Sequence, residues 1–176
     1  MSAQHNFGES LAFSHAAEDL PFWSECYEQW FPGYAALTSH RADGQYQRLG
    51  VDRSVVLTTG KQVLIDEKVR RKAYDDIAIE FVANDRTGAP GWACKALVCD
   101  FIAYAVAPTG RAYLLPTIQL QLAWQRNGDA WRRAYGTISA KNCGYSTISC
   151  CVPVGVLLPA IGGCLRAYFS PQAGAA

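Results

Sequence analysis

Apolar and polar positions between residues 49 and 84 fall into three runs separated by turn residues: "LGVDRSVVLT" (49–58), "KQVLIDEKVRR" (61–71) and "DIAIEFVAN" (76–84). All three are rich in Val, Ile and Leu, which predicts strands. Upstream, "SHAAEDLPFWSECYEQW" (14–30) sets Phe22, Cys26 and Gln29–Trp30 at helical spacing. Ser14 or Asp19 can cap that helix, Pro21 suits its first turn and "FPGY" ends it. The polar stretch 35–48 reads as loop. Residues 93–106, "ACKALVCDFIAYAV", put Leu97, Val98, Phe101, Ile102 and Ala105 on one face, which predicts an amphipathic helix. "GRAYLLP" (110–116) reads as a fourth strand, and a last helix runs from a capping Thr117 to about Gln125. The apolar segment 148–165 is interrupted by Pro153, Gly155, Pro159, Gly162 and Gly163, so it reads as a buried irregular segment or short helix and not a membrane span.

Helix, three strands, helix, strand, helix is the order of an α/β fold on the α+β border, with a central mixed sheet of about four strands flanked by helices. The fourth strand arrives through a helix and is expected to pair parallel to a neighbour. No repeat or low-complexity linker divides the chain. It reads as a single domain over 1–176, with a core at about 14–116, a helical or irregular extension at 117–170 and loose termini.

Composition narrows the class. A chain of 176 residues that is 50% hydrophobic and 12% aromatic folds around a sizeable core. Its net charge of +1 gives no general affinity for polyanions, so any basic surface is local. Seven cysteines without C-x-x-C spacing, behind an N-terminus lacking a basic and apolar leader, read as reduced, mostly buried thiols of a cytoplasmic protein. His5, His15 and His40 are scattered and form no metal-binding pattern.

The unusual feature is "VLIDEKVRRK" (63–72), where an apolar strand runs into adjacent acids and then cations. Alternation puts Leu64, Asp66, Lys68 and Arg70 on one face and Val63, Ile65, Glu67 and Val69 on the other. A two-residue loop, Thr59–Gly60, would pair Arg53 with Asp66. A three-residue loop, Thr58–Thr59–Gly60, ends on the glycine such a loop wants and brings Asp52 opposite Asp66. A bulge near Asp52 would also correct the register. Asp52, Asp66 and Lys68 are therefore expected to converge. Two close carboxylates repel one another, and a hard divalent cation such as Mg²⁺ relieves that cost. The neighbouring lysine suits an attacking water or phosphate charge, which is what phosphodiester hydrolysis needs.

With these residues in view, "GVDRSVVLTTGKQVLIDEKVR" resembles the core of the PD-(D/E)xK nuclease superfamily, the restriction-endonuclease-like fold. Asp52 matches the aspartate that begins one strand, and Asp66 and Lys68 match the acid-x-lysine of the next, with Glu67 as x. Valine precedes Asp52 where the pattern has proline. The acid-x-lysine spacing fits Asp66 and fails for Glu67, which has Val69 two residues on. The resemblance implies a nuclease using Mg²⁺ or Mn²⁺, with Asp52, Asp66 and the Glu67 backbone carbonyl holding the ion. One further carboxylate would come from Glu25 or Glu28 on the first helix or from Glu80 on the third strand; Glu18 fits less well. Expected products carry a 5′-phosphate. The expected partner is nucleic acid, DNA in the first instance, and paired cleavage of a duplex would favour a homodimer. Compactness suggests a phage or mobile-element protein. A catalytically inactive binding module of the same fold is the alternative.

Beside the core motif, Arg70, Arg71 and Lys72 read either as a solvated strand end or as contacts to backbone phosphate, and Lys95 reads in the same two ways. Trp92, Trp124 and Trp131 are core or lid residues before they are base-stacking platforms.

Overall fold

Residues 53–70 form the antiparallel hairpin that the loop chemistry dictates. Strand β2 (Arg53–Val56) pairs with β3 (Gln62–Arg70) in the register Val56↔Gln62 to Arg53↔Ile65. The Leu57 N–H donates to the Lys61 carbonyl, leaving Thr58–Thr59–Gly60 as the loop, and Gly60 takes the left-handed φ of 80°. This is the three-residue connection with glycine last.

The computed structural model describes residues 21–172, and these divide into two compact units. The first comprises residues 21–74, 97–119 and 163–172. It is built on a six-stranded sheet in the order β1-β2-β3-β6-β7-β10. Besides β2 and β3 the strands are β1 (Ala36–Ser39), β6 (Phe101–Val106), β7 (Arg111–Pro116) and β10 (Leu165–Tyr168). The β3/β6 pair is parallel and every other pair antiparallel, so the sheet is mixed.

One face of this sheet packs on helix α1 (Phe22–Trp30). Phe22, Trp23, Cys26, Tyr27 and Trp30 fall on its buried side, against Val55, Val63, Ile65, Leu114 and Phe169. The sheet supplies small residues to the same cluster, Ala103, Ala105, Ala112 and Ala167, which leave room for the helix's aromatic rings. Phe22 and Phe169 stack at 4.2 Å. Gln29 of α1 closes the β10 edge, accepting from the Tyr168 N–H at 3.0 Å and donating to its carbonyl at 2.7 Å. An edge strand is thereby covered.

The second unit comprises residues 75–96 and 120–162. Its sheet has four antiparallel strands in the order β5-β4-β9-β8: β4 (Asp76–Asn84), β5 (Ala89–Pro90), β8 (Ile138–Lys141) and β9 (Ser146–Pro153). Ile77 and Ile79 lie opposite Val152 and Cys150, and all four are fully buried. Helix α4 (Val154–Ile161) adds Leu157 and Ile161 to the buried set. Helix α3 (Thr117–Tyr135) begins in the first unit and continues into the second, where Trp124 stacks on Phe81 at 5.3 Å.

Several expectations are corrected. Residues 93–106 are not a helix: Phe101–Val106 is a central strand, with all but Phe101 buried. A short run apolar on both faces fits a buried strand as well as a helix, and periodicity does not separate the two. The parallel partner of the sheet is this strand, while β7 pairs antiparallel with β6 and β10. Residues 35–48 are not simple loop but contain β1 and the start of helix α2 (Gly44–Leu49). The third strand, β4, belongs to the four-stranded sheet and not to the charged one. The last helix runs on to Tyr135, and residues 117–170 hold three strands beyond it. The proposed caps Ser14 and Asp19, together with Glu18, lie outside the described residues. Cys26, Cys99 and Cys150 are buried, but Cys94 and Cys143 are exposed and none of the seven is in a disulfide, so burial holds for only part of the set.

Candidate active site

The site is assembled where β2 begins. Arg53 stands opposite Ile65, so Asp52 arrives beside Asp66. The Asp52 N–H donates to the Ile65 carbonyl at 2.9 Å, and its Oδ2 accepts the Glu67 N–H at 2.8 Å. Asp52 is thus tied to the backbone on both sides of Asp66, and each carboxyl perturbs the other's titration. Lys68, next along the Asp66 face, places Nζ 2.5 Å from Asp66 Oδ1. The structure brings together Asp52, Asp66 and Lys68.

The two acids differ in electrostatics. Burial acts to raise Asp52, but the Lys68 charge, the neighbouring Asp66, the Glu67 N–H and the Arg41 charge outweigh it and hold the carboxyl below its ordinary value. Burial pushes Asp66 up to about 6; Lys68 opposes the rise, and the neighbouring Asp52 adds to it. Neighbouring like charges resist double ionisation, so of the two acids Asp66 is the one that loses its proton last as pH rises.

Glu67 points the other way. Tyr27 Oη donates to its Oε1 at 2.5 Å, Arg53 Nε at 2.7 Å, and Arg41 Nη2 donates to Oε2 at 2.5 Å. Its side chain is fully buried and neutralised by two guanidiniums. The carboxylate is therefore occupied on the helix side of the sheet. A strand residue's N–H and C=O point to the same edge, so the Glu67 carbonyl faces the edge where its N–H meets Asp52.

Two of the additional acids are not gathered in. Glu25 and Glu28 lie on the exposed side of α1, while the opposite side of that helix sends Tyr27 to Glu67, on the sheet face away from Asp66. Glu80 lies in β4 of the second unit, opposite Ser149. Lys95 is exposed in that unit's turn after β5, with no helix starting there: its N–H reaches the Gly91 carbonyl and its own carbonyl accepts from Gln121. The phosphate grip expected of Lys95 at a helix terminus is thus lost with the helix. Arg70 shares the Asp66 and Lys68 face by alternation, and its guanidinium lies 4.8 Å from the Tyr74 ring. Arg71 is half-buried and Lys72 exposed past the strand end. Trp92, Trp124 and Trp131 are all buried, as core residues are.

Sequence reasoning missed the neighbours that fix Asp52. Gln47, on α2, donates from Nε2 to Asp52 Oδ1 at 3.1 Å. Helix α2 is capped by the Asp43 carboxylate, which accepts from Gln45 N–H at 2.8 Å, and stopped by Gly50 at φ 70°. Asp43 before and Gly50 after a six-residue stretch was the available signal.

Among the described residues no group of three or more His, Cys, Asp or Glu side chains is disposed to hold a metal ion, and no helix is long and apolar enough to cross a membrane. The chain matches no protein-family model and no curated protein.

Proposed function

We propose that this protein is a divalent-metal-dependent phosphodiesterase acting on nucleic acid, of the PD-(D/E)xK kind. The observation that carries the reading is Asp52, anchored by the Glu67 N–H at 2.8 Å next to the buried Asp66, which itself meets Lys68 Nζ at 2.5 Å. A buried acid pair whose second ionisation is pushed up to about 6 is a site that a hard cation would stabilise. The donor set fits Mg²⁺ or Mn²⁺: two carboxylates and, at the same edge, the Glu67 carbonyl, all oxygen ligands that leave other positions to water and phosphate. Such an ion supplies Lewis acidity at the scissile phosphate and a more acidic bound water.

The chain's own residues have separate tasks. Asp52 and Asp66 hold the ion. Lys68 engages Asp66 through its ammonium, and that charge is the one that would stabilise an attacking water or a phosphate oxygen. Its side chain is one-third exposed, so it reaches solvent while Asp66 is buried. Arg70, Arg71 and Lys72 continue from the same strand and would meet flanking phosphates. DNA is the first substrate to try, and by resemblance the products carry 5′-phosphates.

One observation favours a second reading, a nucleic-acid- or protein-binding module without catalysis. Both Asp52 oxygens already accept protein N–H groups, and the described residues contain no third acidic ligand. Plasmid nicking in Mg²⁺ or Mn²⁺ with wild type, Asp66→Ala and Lys68→Ala decides between them. The enzyme reading expects cutting by wild type that both substitutions remove while thermal unfolding stays cooperative. Binding of DNA with no cutting in either metal supports the module, and cutting that survives both substitutions overturns the site.

A further inference from the structure

We propose that Gln47 is a positioning residue for the metal-binding carboxylates, acting as an N–H donor that locks Asp52 from the side opposite the Glu67 amide. The inference rests on the reading of Asp52 and Asp66 as a metal site, and adds to it a residue outside the acid-x-lysine motif. Asp52 Oδ2 accepts from the Glu67 N–H at 2.8 Å and Oδ1 from Gln47 Nε2 at 3.1 Å. With one donor on each oxygen the carboxylate is fixed in rotation, and each oxygen keeps a second lone pair for an ion. Outer donors that orient a metal ligand typically govern affinity by about 10–100-fold.

Gln47 suits this task because the helix that carries it is tied at both ends. Asp43 caps its start through Gln45 N–H, while the Gly50 and Val51 N–H groups return to the Gln47 and Tyr46 carbonyls at 3.1 and 3.0 Å. Tyr46 stacks on His40 at 3.8 Å, the His40 ring meets Ser54 Oγ at 2.8 Å, and the His40 N–H donates to the Asp52 carbonyl at 2.8 Å. The segment presenting Gln47 is therefore fastened to the chain around Asp52, and the amide arrives on a rigid support. Gln47 is itself exposed, so its amide is not retained as a buried core group; the Asp52 contact accounts for its direction.

Two substitutions separate a donor from a ligand. Gln47→Lys keeps an N–H donor at the end of a comparable chain, whereas Gln47→Glu keeps the shape, loses the donor and adds a carboxylate. Two readouts apply: amide hydrogen exchange at Glu67 in metal-free protein, and Mn²⁺ affinity by titration calorimetry. The expected result is Glu67 exchange about tenfold faster in Gln47→Ala and Gln47→Glu, near wild type in Gln47→Lys, and unchanged at Ile65, with Mn²⁺ affinity in Ala and Lys following the same order. Unchanged Glu67 exchange in Gln47→Ala overturns the positioning role, whatever the metal does. Tighter Mn²⁺ binding by Gln47→Glu together with loss in Gln47→Lys also overturns it, making Gln47 a ligand. Equal Mn²⁺ affinity in wild type and Asp66→Ala instead rejects the underlying metal site, and the exchange data then report separately on whether Gln47 holds Asp52.

Discussion

Asp52 and Asp66 stand side by side at the open end of the β2–β3 hairpin, one held below its ordinary pKa and the other pushed up to about 6. The asymmetry has a structural origin. Asp52 receives N–H groups from Glu67 and Gln47, whereas Asp66 lies deeper and is compensated mainly by Lys68. A folded-state pKa raised from 3.8 to about 6 means that Asp66 favours folding when protonated. That contribution is complete below the unfolded value and is lost as pH rises through about 6.

Asp66→Asn is therefore expected to stabilise the metal-free protein at pH 8, by up to about 3 kcal/mol, and to have little effect near pH 4. Asp52 contributes with the opposite sign and only as pH falls toward and below about 4, so the interval from 4 to 6 belongs to Asp66. Urea unfolding in chelator at pH 4, 6 and 8 measures this. A gain from Asn that does not change with pH would remove the coupled pair from the account.

Glu67 holds two guanidiniums and a phenol in the buried side of the sheet. Glu67→Ala removes the buried carboxylate that Arg41, Arg53 and Tyr27 share, and a loss of about 3–5 kcal/mol is expected. Glu67→Ala combined with Arg53→Met should recover part of it, because the second change removes one of the two guanidiniums that Glu67 neutralises. Equal instability of the single and double variants in denaturant unfolding would contradict this.

The hairpin loop and the C-terminal strand make a contrasting pair of glycine tests. A Cβ on Gly60 meets nothing within 4 Å, so Gly60→Ala carries only the strain of φ 80° and should cost about 1 kcal/mol. A Cβ on Gly110 collides with the Phe169 carbonyl as well as sitting at φ 62°, and Gly110→Ala should cost clearly more, about 3 kcal/mol. Thermal melts of the two variants provide the comparison. Similar shifts in both would show that the close approach of Phe169 is not under load.

Legibility followed the range of the interactions involved. The β2–β3 hairpin could be read because its register depends on local features: a period of two in "VLIDEKVR" and a glycine at the last loop position. Those two facts carried Asp52 to Asp66 before any tertiary contact was known. Strand β6 could not be read so, since "FIAYAV" is apolar on both faces and helix and strand bury it equally well. Its state was decided by the parallel partner at Ile65–Arg70, which is distant in sequence. The same holds for Glu67. By alternation it turned away from Asp66, but only folding brought Tyr27, Arg41 and Arg53 to receive it.

Sequence alone thus determined which residues share a face, that Asp52 meets Asp66 with Lys68 beside them, and that the chain carries a mixed sheet with helices. These follow from backbone periodicity and turn stereochemistry, which act over a few residues. Tertiary structure decided that β4 leaves the charged sheet for a second one, that Glu25 and Glu28 face solvent, and that Gln47 pins Asp52. Those outcomes depend on which distant surfaces are buried together, and no local pattern encodes that choice.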